Sequence, residues 1–85
     1  MSIEMAFLYG SHARDEATDN SDIDVLLVSD IFDTDDDYIL SKPWLPKYRP
    51  DYRIEPLAIG SKRFLTDDIT PILEIVRQEG IRIQA

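Results

Sequence analysis

"LYGSHARDEATDNSDIDVLLVSD" (residues 8–30) sets a polar stretch between two apolar runs, with Gly10-Ser11 leaving the first and Asp22-Ile23-Asp24 entering the second. Alternate side chains of a strand share a face, so a strand through 22–24 aims both carboxylates the same way, where they repel. A purely structural role for such a pair is hard to find, whereas a divalent cation removes the repulsion. Mg²⁺ favours few carboxylates together with water and phosphate oxygens. Gly10 lets a backbone approach a phosphate closely, because no Cβ intervenes. Ser11 adds a hydroxyl at the start of an expected helix, whose free N–H groups favour an anion. Gly10-Ser11, ten intervening residues, then Asp22-x-Asp24 therefore points to a metal–nucleotide site.

Outward from this stretch the chain alternates strands and helices. "IEMAFLY" (3–9) reads as a buried strand, 11–17 as a short helix capped by Ser11, "TDNS" (18–21) as a turn, and 22–29 as an interior strand with a continuous apolar centre. Residues 30–50 are irregular, with a short helix expected near 34–41. "DYRIEPLAI" (51–59) reads as a third strand that Pro56 pushes towards an edge. Residues 61–64 begin a helical turn. The clearest helix is 70–80, with Thr70 as N-cap, Pro71 at its first position, Gly80 just past its end, and Ile72, Leu73, Ile75 and Val76 as its core stripe. "IRIQ" (81–84) adds a last strand. The pattern is α/β, with residues 1–85 expected to form a single domain.

With 85 residues the chain lies near the lower end of what one core supports, and such chains often lean on a partner, a metal or self-association. Nine basic against 17 acidic residues give a formal net charge of −8. That charge disfavours broad binding to nucleic acid or anionic membrane, while cations and backbone N–H groups can still hold a nucleotide locally. The absence of cysteine excludes disulfides and thiolate–metal sites. No apolar run is long enough to span a membrane and the first residues do not read as a signal peptide, so a cytoplasmic location is expected.

Two-ion chemistry wants a third carboxylate, for which Glu55, central in the third strand, is the candidate and Asp51 the fallback. The competing expectation pairs Glu55 with Arg53 or Arg63. Arg14 either contacts phosphate or forms an exposed ion pair with Asp15 or Glu16, and His12 reads as solvated surface. "DTDDD" (33–37) starts like a calcium loop, but Tyr38 and Trp44 stand where that loop needs Gly and Glu, so it reads as a solvated acidic loop. Trp44, Tyr48 and Tyr52, with Pro43, Pro46 and Pro50, either pin the long loop to the core or line a nucleobase or partner surface.

"LYGSHARDEATDNSDIDVLLV" resembles the signature of the minimal nucleotidyltransferase (MNT) family within the DNA polymerase β-like superfamily, commonly written GS-x-ARG…SDIDL. "RIEPLAI" is similar to a third-strand form in which Glu carries the third metal position, and "EGIRIQ" to the usual helix-then-strand ending. The resemblance implies a small mixed β-sheet with helices packed on it. It implies transfer of a nucleoside monophosphate, AMP from ATP, onto an acceptor hydroxyl, with Asp22, Asp24 and Glu55 as catalytic ligands of two Mg²⁺ ions. Gly10 and Ser11 would cradle the β,γ-phosphates, and Arg14 would stand beside them. It further implies an antitoxin of a HEPN/MNT toxin–antitoxin pair, whose acceptor lies on a HEPN-domain partner. The competing expectations are a small-molecule transferase of the aminoglycoside type and an inactive binding module. Departures from the signature are Asp15 where Gly is common, His12 where Arg is common, and no helix before the first strand. Asp is one of the residues that tolerates the left-handed backbone region.

Overall fold

A computed structural model describes residues 2–84, so both ends of the expected 1–85 domain lie outside the described residues. Four strands, β1 (Met5–Tyr9), β2 (Ile23–Ser29), β3 (Ile54–Gly60) and β4 (Ile81–Gln84), form one mixed sheet in the order β3-β2-β1-β4. β1 runs antiparallel to β2 and β4, and β2 runs parallel to β3. The apolar run of β2 is thus interior, as its unbroken hydrophobicity requires. β3 lies at an edge, where the missing N–H of Pro56 is tolerated. The class is α/β, as expected.

Register decides which side chains share a face. Met5, Phe7 and Tyr9 face Val28, Leu26 and Asp24, and these face Ile59, Leu57 and Glu55. The apolar members of this face meet Leu73 and Val76 of α3 (Pro71–Glu79), with Phe64 of α2 (Ser61–Thr66) packed alongside. Leu26, Val28 and Leu73 are wholly buried, each worth roughly 1.5–3 kcal/mol of burial. The polar row Tyr9, Asp24 and Glu55 therefore closes one end of the packed face.

Several expected elements differ in detail. The helix at 11–17 is absent: Gly10–His12 makes one 3-10 turn, Ala13 keeps right-handed backbone, and the coil ends in the turn at Asp15. Left-handed backbone at Gly10 (φ +75°) and Asp15 (φ +59°) brackets this turn and prevents a longer helix. The third strand starts at Ile54 rather than 51, because Asp51 Oδ1 accepts from the Arg53 N–H at 2.8 Å and folds 51–53 into a turn. The helix near 34–41 is confined to α1 (Asp37–Ser41), capped by Asp36, whose Oδ1 accepts from the Tyr38 N–H at 2.9 Å. In α3, Ile75 is 39% exposed and leaves the expected stripe to Leu73, Val76 and part of Ile72. Thr70 sits at the N-cap position but donates its hydroxyl to Asp67 Oδ2 at 2.6 Å instead of capping. Gly80 ends the helix in extended backbone (φ −68°), not the left-handed form; a Cβ there would lie 2.5 Å from the Val76 carbonyl oxygen.

The opposite face carries Val25, Leu27, Ile54 and Pro56 and is partly roofed by the 30–53 crossover. Pro43 and Tyr48 of that crossover, with Ile3, complete an apolar groove of about 310 Å³. No helix among the described residues is long and apolar enough to cross a membrane.

Candidate functional site

The β1 exit, the β2 entrance and the β3 entrance lie side by side because β2 pairs Tyr9 on one flank and Glu55 on the other through Asp24. Asp22 immediately precedes β2 and, like Glu55, is exposed, while Asp24 is half-buried. Gly10 turns against this row: a Cβ on it would lie 2.5 Å from Asp24 Oδ2. Two demands thus meet at Gly10, a positive φ and room for the Asp24 carboxylate.

The carboxylates are close enough to disturb one another. Glu55 is held above the usual glutamate range, first by the Asp22 charge, then by desolvation and the Asp24 charge. A hydrogen bond with Asp22, which requires a proton on one of the two acids, adds to this, and Arg49 opposes it. Asp24 is also raised, by burial first and the Asp22 charge second, against the pull of His12 and Arg14. The buried Tyr9 phenol is raised by desolvation, with the charges of Asp24 and Glu55 adding. Such mutual repulsion favours protons or a cation at the row. Among the described residues no three His, Cys, Asp or Glu side chains are gathered as a ready-made metal cluster. The donor set is nevertheless all carboxylate oxygen, the chemistry that Mg²⁺ takes, and two of its members are exposed side chains.

The alternatives raised for neighbouring residues separate cleanly. Arg53 pairs with Asp51 at 3.0 Å and Arg63 with Asp67 at 3.1 Å, so neither neutralises Glu55. Its hold on Arg53 depresses the Asp51 carboxyl and turns the fallback ligand to a structural task. Arg14 lies in ion pairs with Glu16 (2.6 Å) and Glu79 (3.0 Å), the first of them among the expected partners. Ser11 sits within the 3-10 turn, where its carbonyl accepts from the Glu16 N–H at 2.9 Å. His12 departs from the solvated expectation: it is half-buried, and its Nε2 is shielded without a hydrogen-bond partner among the described residues. Arg49 escaped the sequence reading altogether. Its Nη1 donates to the Ile54 carbonyl at 3.4 Å, directly before Glu55, and its guanidinium lies 5.0 Å from the Trp44 ring centre. The only signal for it was a basic run, 42–49, in an acidic chain.

Comparison with known proteins gives no match among curated proteins and none among solved structures. The family described as "Polymerase beta, Nucleotidyltransferase" matches residues 1–53, the part that holds β1, the Gly10–His12 turn, β2 with both aspartates, and the crossover. The chain belongs to the polymerase β nucleotidyltransferase family.

Proposed function

We propose that the chain is a Mg²⁺-dependent nucleotidyltransferase of the MNT type, which moves AMP from ATP onto a hydroxyl of a partner protein. The observation that carries this reading is the row of Asp24 and Glu55, set by strand register beside the Gly10 turn, with Asp22 just ahead of β2 and close enough to Glu55 to raise its carboxyl. Two bound Mg²⁺ ions would be held by these carboxylates and would supply charge neutralisation at the phosphates. Gly10 and Ser11 would cradle the β,γ-phosphates, and Arg14, now paired with Glu16, would exchange that ion pair for a phosphate contact. The acceptor oxygen attacks the α-phosphorus and forms a new P–O bond. The bond from that phosphorus to the bridging oxygen breaks, and pyrophosphate leaves with the electron pair. Glu55 receives the acceptor proton, a task suited to a carboxylate whose proton affinity is already raised. Positioning and charge stabilisation supply the rate.

A partner-borne acceptor is supported by the openness of the row, since Asp22 and Glu55 are exposed. Membership of a HEPN/MNT toxin–antitoxin pair follows from the family resemblance, and a cytoplasmic setting is in keeping with a chain that has no cysteine. A binding module that keeps the fold without the chemistry is the second reading, favoured by the ion pairs that occupy Arg14. Thermal shift decides between them. Mg²⁺ or Mn²⁺ with ATP raises the melting temperature of the wild type, by ligand linkage, and Asp22→Asn/Asp24→Asn removes the effect. Equal shifts in the two proteins would sink the assignment.

A further inference from the structure

Across the sheet the order β1, β2, β3 sets out the reaction from one side to the other: the Gly10 turn, then Asp22 and Asp24, then Glu55. In-line displacement puts leaving group and attacking oxygen on opposite sides of the transferred phosphorus. With the triphosphate at the Gly10 turn, the acceptor approaches from the β3 edge. That edge is flanked by "KPWLPKYR" (42–49), which carries three basic residues and no acidic one in a chain of net charge −8.

The three cations are arrayed over aromatic rings rather than paired with acids. Lys42 lies 5.5 Å from the Tyr38 ring, Lys47 5.4 Å from Tyr48, and Arg49 5.0 Å from Trp44. Arg14, Arg53 and Arg63 are each spent on carboxylates. Arg49 forms no such ion pair among the described residues and is instead anchored at the carbonyl of Ile54, one residue from Glu55. Trp44 is 44% exposed, so this ridge is a surface and not a buried prop.

We propose that residues 42–49 are the acceptor-docking ridge, which takes an acidic segment of the partner protein and delivers its hydroxyl to the Glu55 side of the row. The proposal rests on the nucleotidyl-transfer reading for its orientation. A few carboxylates match three cations, whereas the dense phosphates of a nucleic acid would extend far beyond the ridge onto acidic surface. Screening over about 8–10 Å at moderate salt lets the local cations prevail over the remote negative charge.

The probes are labelled short peptides carrying one serine among glutamates, glutamines or lysines, together with a thymidine oligonucleotide, read by anisotropy. Quenching of Trp44, the single tryptophan, reports where they sit. The glutamate peptide binds about tenfold tighter than the lysine peptide, a preference lost in Arg49→Gln and in Lys47→Gln and kept in Lys62→Gln. Two separate substitutions guard against the failure of one variant to fold. Absent or reversed preference, preference that survives both substitutions, or tighter binding of the oligonucleotide overturns the ridge. Stabilisation by Mg²⁺–ATP is measured on the wild type in parallel. Stabilisation without peptide preference removes the ridge alone; peptide preference without stabilisation removes nucleotidyl transfer and the acceptor role with it, and leaves only the binding of acidic peptides at 42–49.

Discussion

Asp24 and Glu55 show how much a single register position can decide. They are partners across β2 and β3, so a carboxylate two residues into one strand faces a carboxylate two residues into the next. Spacing alone could relate Asp22 to Asp24, and so that half of the row was legible in the sequence. Glu55 was reached less directly, from the need of two-ion chemistry for a third carboxylate and then from the family resemblance, with Asp51 as the fallback, because nothing local says which strand lies beside β2. Arg49 and His12 were not legible at all, since their positions depend on how the crossover and the Gly10 turn fold back. Asp15 was: it stands where glycine is common, it is one of the few other residues that can enter the left-handed region, and it is found there, at φ +59°. The contrast between Glu55 and Asp51 can be tested directly. On the proposed reading, Glu55→Gln abolishes transfer while much of the nucleotide binding persists, because Asp22 and Asp24 would still hold the triphosphate cation. Asp51→Asn loses its pair with Arg53 but leaves transfer within a few-fold of wild type, as expected for an exposed ion pair. Transfer rates and nucleotide affinities for the two variants rank them, and the reverse ranking would show that Asp51 is the third ligand.

At the scale of elements, α3 was the most legible, and its departures are instructive. Periodicity identifies an amphipathic helix but draws its buried stripe one residue too wide. The helix crosses a short sheet that offers cover to Leu73 and Val76 and leaves Ile75 39% exposed. Leu73→Ala therefore destabilises by roughly 2–5 kcal/mol, a large share of a domain of this size, while Ile75→Ala stays well below that. Chemical denaturation of both variants checks the ranking. The entry to α3 differs for another reason: Thr70 has the place and chemistry of a cap, but Asp67 organises the turn. Its Oδ1 accepts from the Ile69 and Thr70 N–H groups at 2.9 and 3.0 Å, and its Oδ2 from the Thr70 hydroxyl and from Arg63. These bonds, those to Thr70 foremost, hold the Asp67 carboxyl well below the usual aspartate range. A depressed folded-state value contributes stability that is complete above the unfolded value, about 3.9, and is lost as pH falls through the folded one. Asp67→Asn accordingly lowers the melting temperature by a constant amount at neutral pH, and the gap from wild type closes below about pH 4. A gap that instead widened on acidification would contradict the hydrogen-bond pattern.

For the molecule as a whole, the α/β class and the mixed sheet were foreseeable, while the division of labour between its two faces was not. One face is closed by α2 and α3. The other is roofed only in part, by the crossover, and keeps an apolar groove lined by Val25, Leu27, Pro43, Tyr48, Ile54 and Pro56, with Ile81 and Ile83 of β4 about half exposed. Apolar surface gathered in this way on a charged molecule often marks contact with another protein. The carboxylate row opens at the end of the same sheet, so a protein seated there could present a hydroxyl without entering an enclosed pocket. From this arrangement comes the test of the complete function. Purified protein, Mg²⁺ and labelled ATP are mixed with the product of the neighbouring gene, and each chain is weighed intact. A gain of one or more AMP units on the partner, absent with Asp22→Asn/Asp24→Asn, is the expected outcome. Label found only on an added aminoglycoside or other small molecule would move the acceptor class to that chemistry. A tight complex with no label on either chain would mean that the row no longer catalyses and that the fold works by contact, in which case the two aspartate substitutions leave the complex intact while charge reversal at Arg49 weakens it.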